Sequence, residues 1–140
     1  MVLQDGISNI KTQVARNVAA ISTNTTSAGN IIDTQGYNTG SFIMFSGTIT
    51  DGTYTPLIEA GDDSGLSDAV AITDTYLLPS GSGQEASLAF VAADDNVVKK
   101  IGYITQKRYV RLSFVSTGVT TGGTLGALSV LGEPGAAPVD

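Results

Sequence analysis

From Ile31 onward the chain is cut into short runs rich in Val, Ile, Thr, Tyr and Phe, each ended by Gly, Asp or Ser. β-Branched and aromatic side chains suit a pleated surface, and turn residues at this spacing predict many short strands rather than long helices. The predicted strands are 41–50, 53–60, 69–73, 76–78, 86–91, 97–104, 109–115 and 124–131. Strands of this number and length close most simply as two packed sheets, so the expected fold is all-β, a β-sandwich body over residues 31–131. At 140 residues the chain is long enough for one buried core without crosslinks.

The clearest turn signal is Asp51-Gly52, which accepts positive φ and predicts a two-residue hairpin between 41–50 and 53–60. Pro56 has no N–H to give a ladder, so the return strand is expected at a sheet edge or with a bulge. In 107–114 the alternation puts Val110, Leu112 and Phe114 on a core face and Tyr109, Arg111 and Ser113 on the other. The start of the 41–50 strand is apolar on both faces, with Ile43, Phe45 and Ile49 opposite Phe42 and Met44. A second apolar face needs cover, from the N-terminal segment or from a neighbouring subunit.

In that N-terminal segment Ile7, Ile10, Val14, Val18 and Ile21 recur three or four apart, opposed by Asn9, Lys11, Gln13, Arg16 and Asn17. The spacing predicts one apolar face of a short helix. Such a helix is marginal alone, so it lies on the body or on another subunit, or is an arm ordered on assembly. Ser22 to Asn30 is Ser-, Thr- and Asn-rich and reads as a linker. The expected organisation is therefore an N-terminal arm or helix with linker over 1–30, the body, and an extended C-terminal tail over 132–140.

Cys, His and Trp are absent. Without them there is no disulfide framework, thiol nucleophile or imidazole base, so the expectation is a protein that is not an enzyme and carries no cofactor. Asp62-Asp63-Ser64-Gly65-Leu66-Ser67-Asp68 offers oxygen ligands but not the spacing of a calcium loop, and it reads as a solvated turn. Asp94-Asp95-Asn96 reads the same way, and Ser80-Gly81-Ser82-Gly83 lacks the Lys and helix of a phosphate loop. No metal site is expected. The N-terminus Met1 to Asp5 lacks a basic region and a long apolar run, and no apolar stretch approaches spanning length, which predicts a soluble chain made in the cytoplasm with no membrane partner.

The formal net charge is -6, with no Lys or Arg between Val18 and Val98. That balance disfavours nucleic acid and favours a complementary protein surface. Lys99, Lys100, Lys107, Arg108 and Arg111 cluster around Tyr103 and Tyr109 as a basic strip. It offers a contact surface for a protein, glycan or polyanion, or else gives solubility and guards a sheet edge.

Several stretches together resemble small structural proteins of tailed bacteriophages. They are Asn38-Thr39-Gly40-Ser41-Phe42, Tyr54-Thr55 followed by Glu59 and Asp62-Asp63, Gly102-Tyr103-Ile104, Arg108-Tyr109-Val110-Arg111, and a Gly- and Ala-rich last strand. The likeness spans residues 31–131 and rests on strand and turn residues. It implies a virion component made in the host cytoplasm, a decoration or cement protein on the outer capsid that stabilises contacts between major capsid subunits. It also implies a jelly-roll-like sandwich with an N-terminal arm, commonly a trimer. On that reading partner contacts are expected at Ile7, Ile10, Val14, Val18, Phe42, Met44 and the tail 132–138, with Lys99, Lys100, Tyr109 and Arg111 from the basic strip. A tail or neck component and a glycan-binding module using Tyr103 or Tyr109 are the alternatives.

Overall fold

The computed structural model describes residues 5–79, 81 and 83–136. The first four residues, Ser80, Ser82, and Ala137 and Pro138 of the expected tail lie outside the described residues. Among the described residues nine strands form: β1 (Ile10–Ile21), β2 (Thr26–Asp33), β3 (Tyr37–Ile49), β4 (Thr53–Gly61), β5 (Val70–Ala71), β6 (Leu77–Leu78), β7 (Val98–Tyr103), β8 (Tyr109–Thr117) and β9 (Gly123–Pro134). One helical turn, α1 (Gln84–Ser87), and a 3-10 turn at Asp74–Tyr76 complete the elements.

The strands make two antiparallel sheets in the orders β1-β9-β3-β7-β6 and β2-β8-β4-β5. The pairings are nested: β1 lies beside β9, β2 beside β8, β3 beside β7 and β4 beside β5. The facing sides enclose one core in which Phe42, Met44, Tyr54, Ile58, Phe90, Ile101, Leu112, Phe114 and Leu125 are fully buried. Val110, Leu112 and Phe114 face inward as their alternation requires.

Five local expectations are corrected. The segment predicted as a helix is the strand β1, paired along its length with β9. Ile10, Val14 and Val18 are four apart, a spacing that puts residues on one side of a helix and of a strand alike; the β-branched residues and a β9 partner decide for the strand. The expected linker is in part β2, an edge strand most of whose residues are exposed, so polar residues are tolerated there. Residues 86–91 hold α1 and a single bridge from Phe90 to Tyr54 instead of a strand. The expected tail begins as the end of β9, with Gly132 paired to Thr39 and Ile10.

The fifth correction concerns Asp51-Gly52. The turn exists, with Gly52 at φ 92°, but β3 and β4 belong to different sheets and do not pair. The Asp51 carboxylate explains the arch, because it accepts the backbone N–H groups of Thr120, Thr121 and Gly122 and the Thr120 hydroxyl. That grip ties the corner to the β8–β9 connection, and Tyr54 donates its hydroxyl to the Asp51 carbonyl at 2.9 Å. Pro56 sits as expected: it faces Phe114 of β8 on one side, and β5 reaches only Glu59 and Ala60 on the other. Glu85 covers part of that bare flank by accepting the Ile58 N–H at 2.8 Å.

The two long edges of the sandwich differ. On one, β1 and β2 close tightly: a Cβ added at Gly29 would lie 2.2 Å from the Leu112 carbonyl oxygen and 2.4 Å from that of Ala15. There Arg16 is buried, its guanidinium donating to the carbonyl oxygens of Asn17 and Leu125 and to Ser27 Oγ, 5.8 Å above the Phe114 ring. On the opposite edge β5 and β6 are two residues each and stand apart.

Candidate interaction surface

Residues opposite each other across a ladder share a face. In the five-stranded sheet the outer side therefore reads in rows. One row is Val18, Gly126, Phe45 and Val98; the next is Val14, Leu128, Ile43 and Lys100; a third is Thr12, Val130, Ser41, Gly102 and Leu78. Val18 is 62% exposed, Val98 66% and Val14 50%, and Ile43, Phe45, Leu128 and Val130 are half-buried by one another. Gly126 has to be glycine: an added Cβ would lie 2.7 Å from Val18 Cγ2 and 2.8 Å from Phe45 Cε2. Those two side chains close over it and join the strands into one largely apolar face whose single charge, among the described residues, is Lys100.

Of the residues expected to meet a partner, Ile10, Val14, Val18 and Lys100 lie on this face, and Ile7 is 76% exposed just before β1. Phe42 and Met44 do not: both are fully buried and are withdrawn as contact residues. A bulge between Ser46 and Ile49 turns Ile49 into the core, leaving Ile43 and Phe45 outside. Ile43, Phe45, Val98, Leu128 and Val130 are the surface residues that the sequence left unassigned. The available signal was that 124–131, like 41–49, is apolar at both odd and even positions.

The basic strip is not one surface. Lys99 lies at the core margin, donating to the Ala89 carbonyl and to Asp94, with its ammonium 4.6 Å from the Phe90 ring centroid. Arg111 pairs with Glu59 at 2.9 Å on the outer side of the four-stranded sheet, where Tyr109 also lies under Arg108. Lys107 pairs with Asp62, and Arg108 grips Asp33 with two nitrogens. Asp33 is held below the usual carboxylate range by the Arg108 hydrogen bond, and Asp62 raises Lys107 in the same way. These four cations are matched locally and Lys100 stands apart on the apolar face, so the strip presents no collective field.

The acidic loops are likewise engaged with backbone. Asp68 accepts the N–H groups of Asp62 and Asp63, and Asp63 accepts those of Gly65 and Ser67. Among the described residues no three acidic side chains converge as a metal cluster, and no helix is long and apolar enough to cross a membrane. Tyr103 is 7% exposed with its hydroxyl buried and unpartnered against Gly40, so it cannot stack on a sugar. No protein-family model, curated protein or solved structure matches the chain.

Proposed function

We propose that the chain is a virion decoration protein of a tailed bacteriophage, bound to the outer capsid surface and strengthening contacts between major capsid subunits without catalysing a reaction. The observation that carries this reading is the apolar outer face of the five-stranded sheet. From β1 to β6 it measures about 19 Å at the usual strand spacing, and about 26 Å along β1 from Ile10 to Val18. That is roughly 500 Å², at the upper end of what a monomer exposes without a partner. A standard interface needs about 800 Å² per partner, so several copies acting together suit it better than one, which favours a homo-oligomer such as a trimer.

The nested strand pairing supports a jelly roll, a two-stranded antiparallel ribbon wound into two sheets, with β6 as an addition at the edge. That architecture recurs in viral capsid and lectin domains. Resemblance at fold level is an analogy, and the apolar face supplies the site-level argument.

The test mixes purified protein with undecorated expanded capsids of the encoding phage and counts copies per particle at saturation. Phe45→Glu should abolish binding while circular dichroism stays that of the parent. Capsids that take up no parent protein, or that take up the variant equally well, overturn the proposal.

A further inference from the structure

The open edge of the sandwich holds a cleft of about 470 Å³ between β5 and the turn after β7. This lies within the roughly 300–1,000 Å³ usual for small-molecule sites. Its floor is the margin of the core itself. Val70 pairs with Ala60 on the inward side of its sheet, yet Val70 is 70% exposed because no strand of the other sheet covers it. Ile104 and the Tyr76 ring, each 54% exposed, form the walls. Exposed Thr73 and Gln106 stand on the rim, and Lys107 there is neutralised by Asp62. The cleft thus combines an apolar floor, one aromatic face, a hydroxyl and amide rim, and no net charge.

We propose that this cleft binds a neutral saccharide carrying an apolar substituent, an acetamido group being the best match. The methyl of that group would rest on Val70 and Ile104, a C–H face of the ring on Tyr76, and the sugar hydroxyls and amide on Gln106 and Thr73. The matched charges argue against an acidic glycan. An added peptide strand is disfavoured because β5 and β6 offer edges only two residues long, too short for a ladder. The site is on the edge of the sandwich, apart from the apolar sheet face, so it stands whether or not the chain decorates a capsid.

The experiment titrates the intact protein with tri-N-acetylchitotriose and with cellotriose, following backbone amide resonances. Chitotriose should shift the amides of Val70, Tyr76, Ile104 and Gln106 and bind at least tenfold more tightly than cellotriose. Tyr76→Ala and Gln106→Ala should each weaken it tenfold or more with an unchanged melting temperature, and Phe45→Glu should leave it unaltered. No shift at millimolar chitotriose, equal binding of both sugars, or shifts produced only by an apolar hexapeptide would overturn the proposal. Loss of capsid binding in Phe45→Glu with sugar binding intact separates this site from the docking face.

Discussion

Phe42 and Phe45 lie three residues apart on β3 and face opposite ways, so the pair separates core from the proposed contact surface. Phe42 is fully buried, its ring centroid 5.2 Å from that of Tyr103. Removing a buried Phe side chain costs about 3–5 kcal/mol, and losing an aromatic neighbour places Phe42→Ala near the middle, at about 4 kcal/mol. For 140 residues the unfolding entropy is about 0.3 kcal/mol/K, which converts that loss into a fall of about 13 °C in Tm. Phe45 is half-buried, so Phe45→Ala forfeits about half of a full burial, roughly 1 kcal/mol, or about 3 °C. The assay is thermal and urea unfolding followed by circular dichroism at a dilution where sedimentation shows one species. Capsid binding is then measured on both variants. Phe42→Ala should bind normally below its lowered Tm, and Phe45→Ala should bind weakly. Equal losses of stability in the two variants, or an unchanged Tm for Phe42→Ala, would refute the assignment of faces.

Acid should unfold the protein through its loops. The Thr120 hydroxyl and the neighbouring N–H groups hold Asp51 below the usual carboxylate range, and the N–H groups of Ser67 and Asp62 do the same for Asp63 and Asp68. With folded values below unfolded ones, their stabilisation is complete above about pH 4 and drains as pH falls through the folded values, so the urea midpoint should decline there and less steeply in Asp51→Ala. A midpoint that stays flat into strong acid rejects this account. Burial pushes Glu85 the other way, so its ionisation opposes folding and stability is lost as pH rises through its folded value. Glu85→Gln keeps an acceptor for the Ile58 N–H, and its midpoint at pH 7 should equal or exceed the parent's; a lower one counts against the burial argument. Tyr103→Phe removes a buried hydroxyl without a partner, and urea unfolding should find it neutral or up to about 1 kcal/mol more stable. Gly29→Ala drives a methyl into two carbonyl oxygens and should cost about 3 kcal/mol, read from the same melts.

What the sequence disclosed followed from period and turn chemistry. The positions of β3, β4, β7, β8 and β9, the inward face of β8 and the bare flank at Pro56 all rest on local rules, and the chain obeys them. Partnership between strands does not rest on local rules. Asp51-Gly52 favours a reversal, but whether it joins one sheet or arches between two depends on Thr120 to Gly122, residues remote in sequence that bind the Asp51 carboxylate. The N-terminal segment is ambiguous in sequence because a spacing of four satisfies both periods, and its partner β9 is remote along the chain. Ile10, Val14 and Val18 nevertheless share a face under either reading, so part of the candidate surface was legible while its geometry was not. In β3 and β9, apolar at odd and even positions alike, hydropathy could not say which set was inside. The bulge at Ser46 to Ile49 then reversed the parity within one strand.

The nesting of strand pairs bears on how the protein comes into being. During synthesis β1 emerges well before its ladder partner β9; the Arg16 to Leu125 hydrogen bond alone joins positions 109 apart. Closing so long a loop carries its entropy cost before any pairing repays it, which makes folding slow relative to chains built from local contacts. A product that stops short of β9 has an orphaned first strand and a half-bare β3. The outermost ring of the wrap closes only once β9 has emerged, so a chain cut short of β9 is denied the closed sandwich by topology itself.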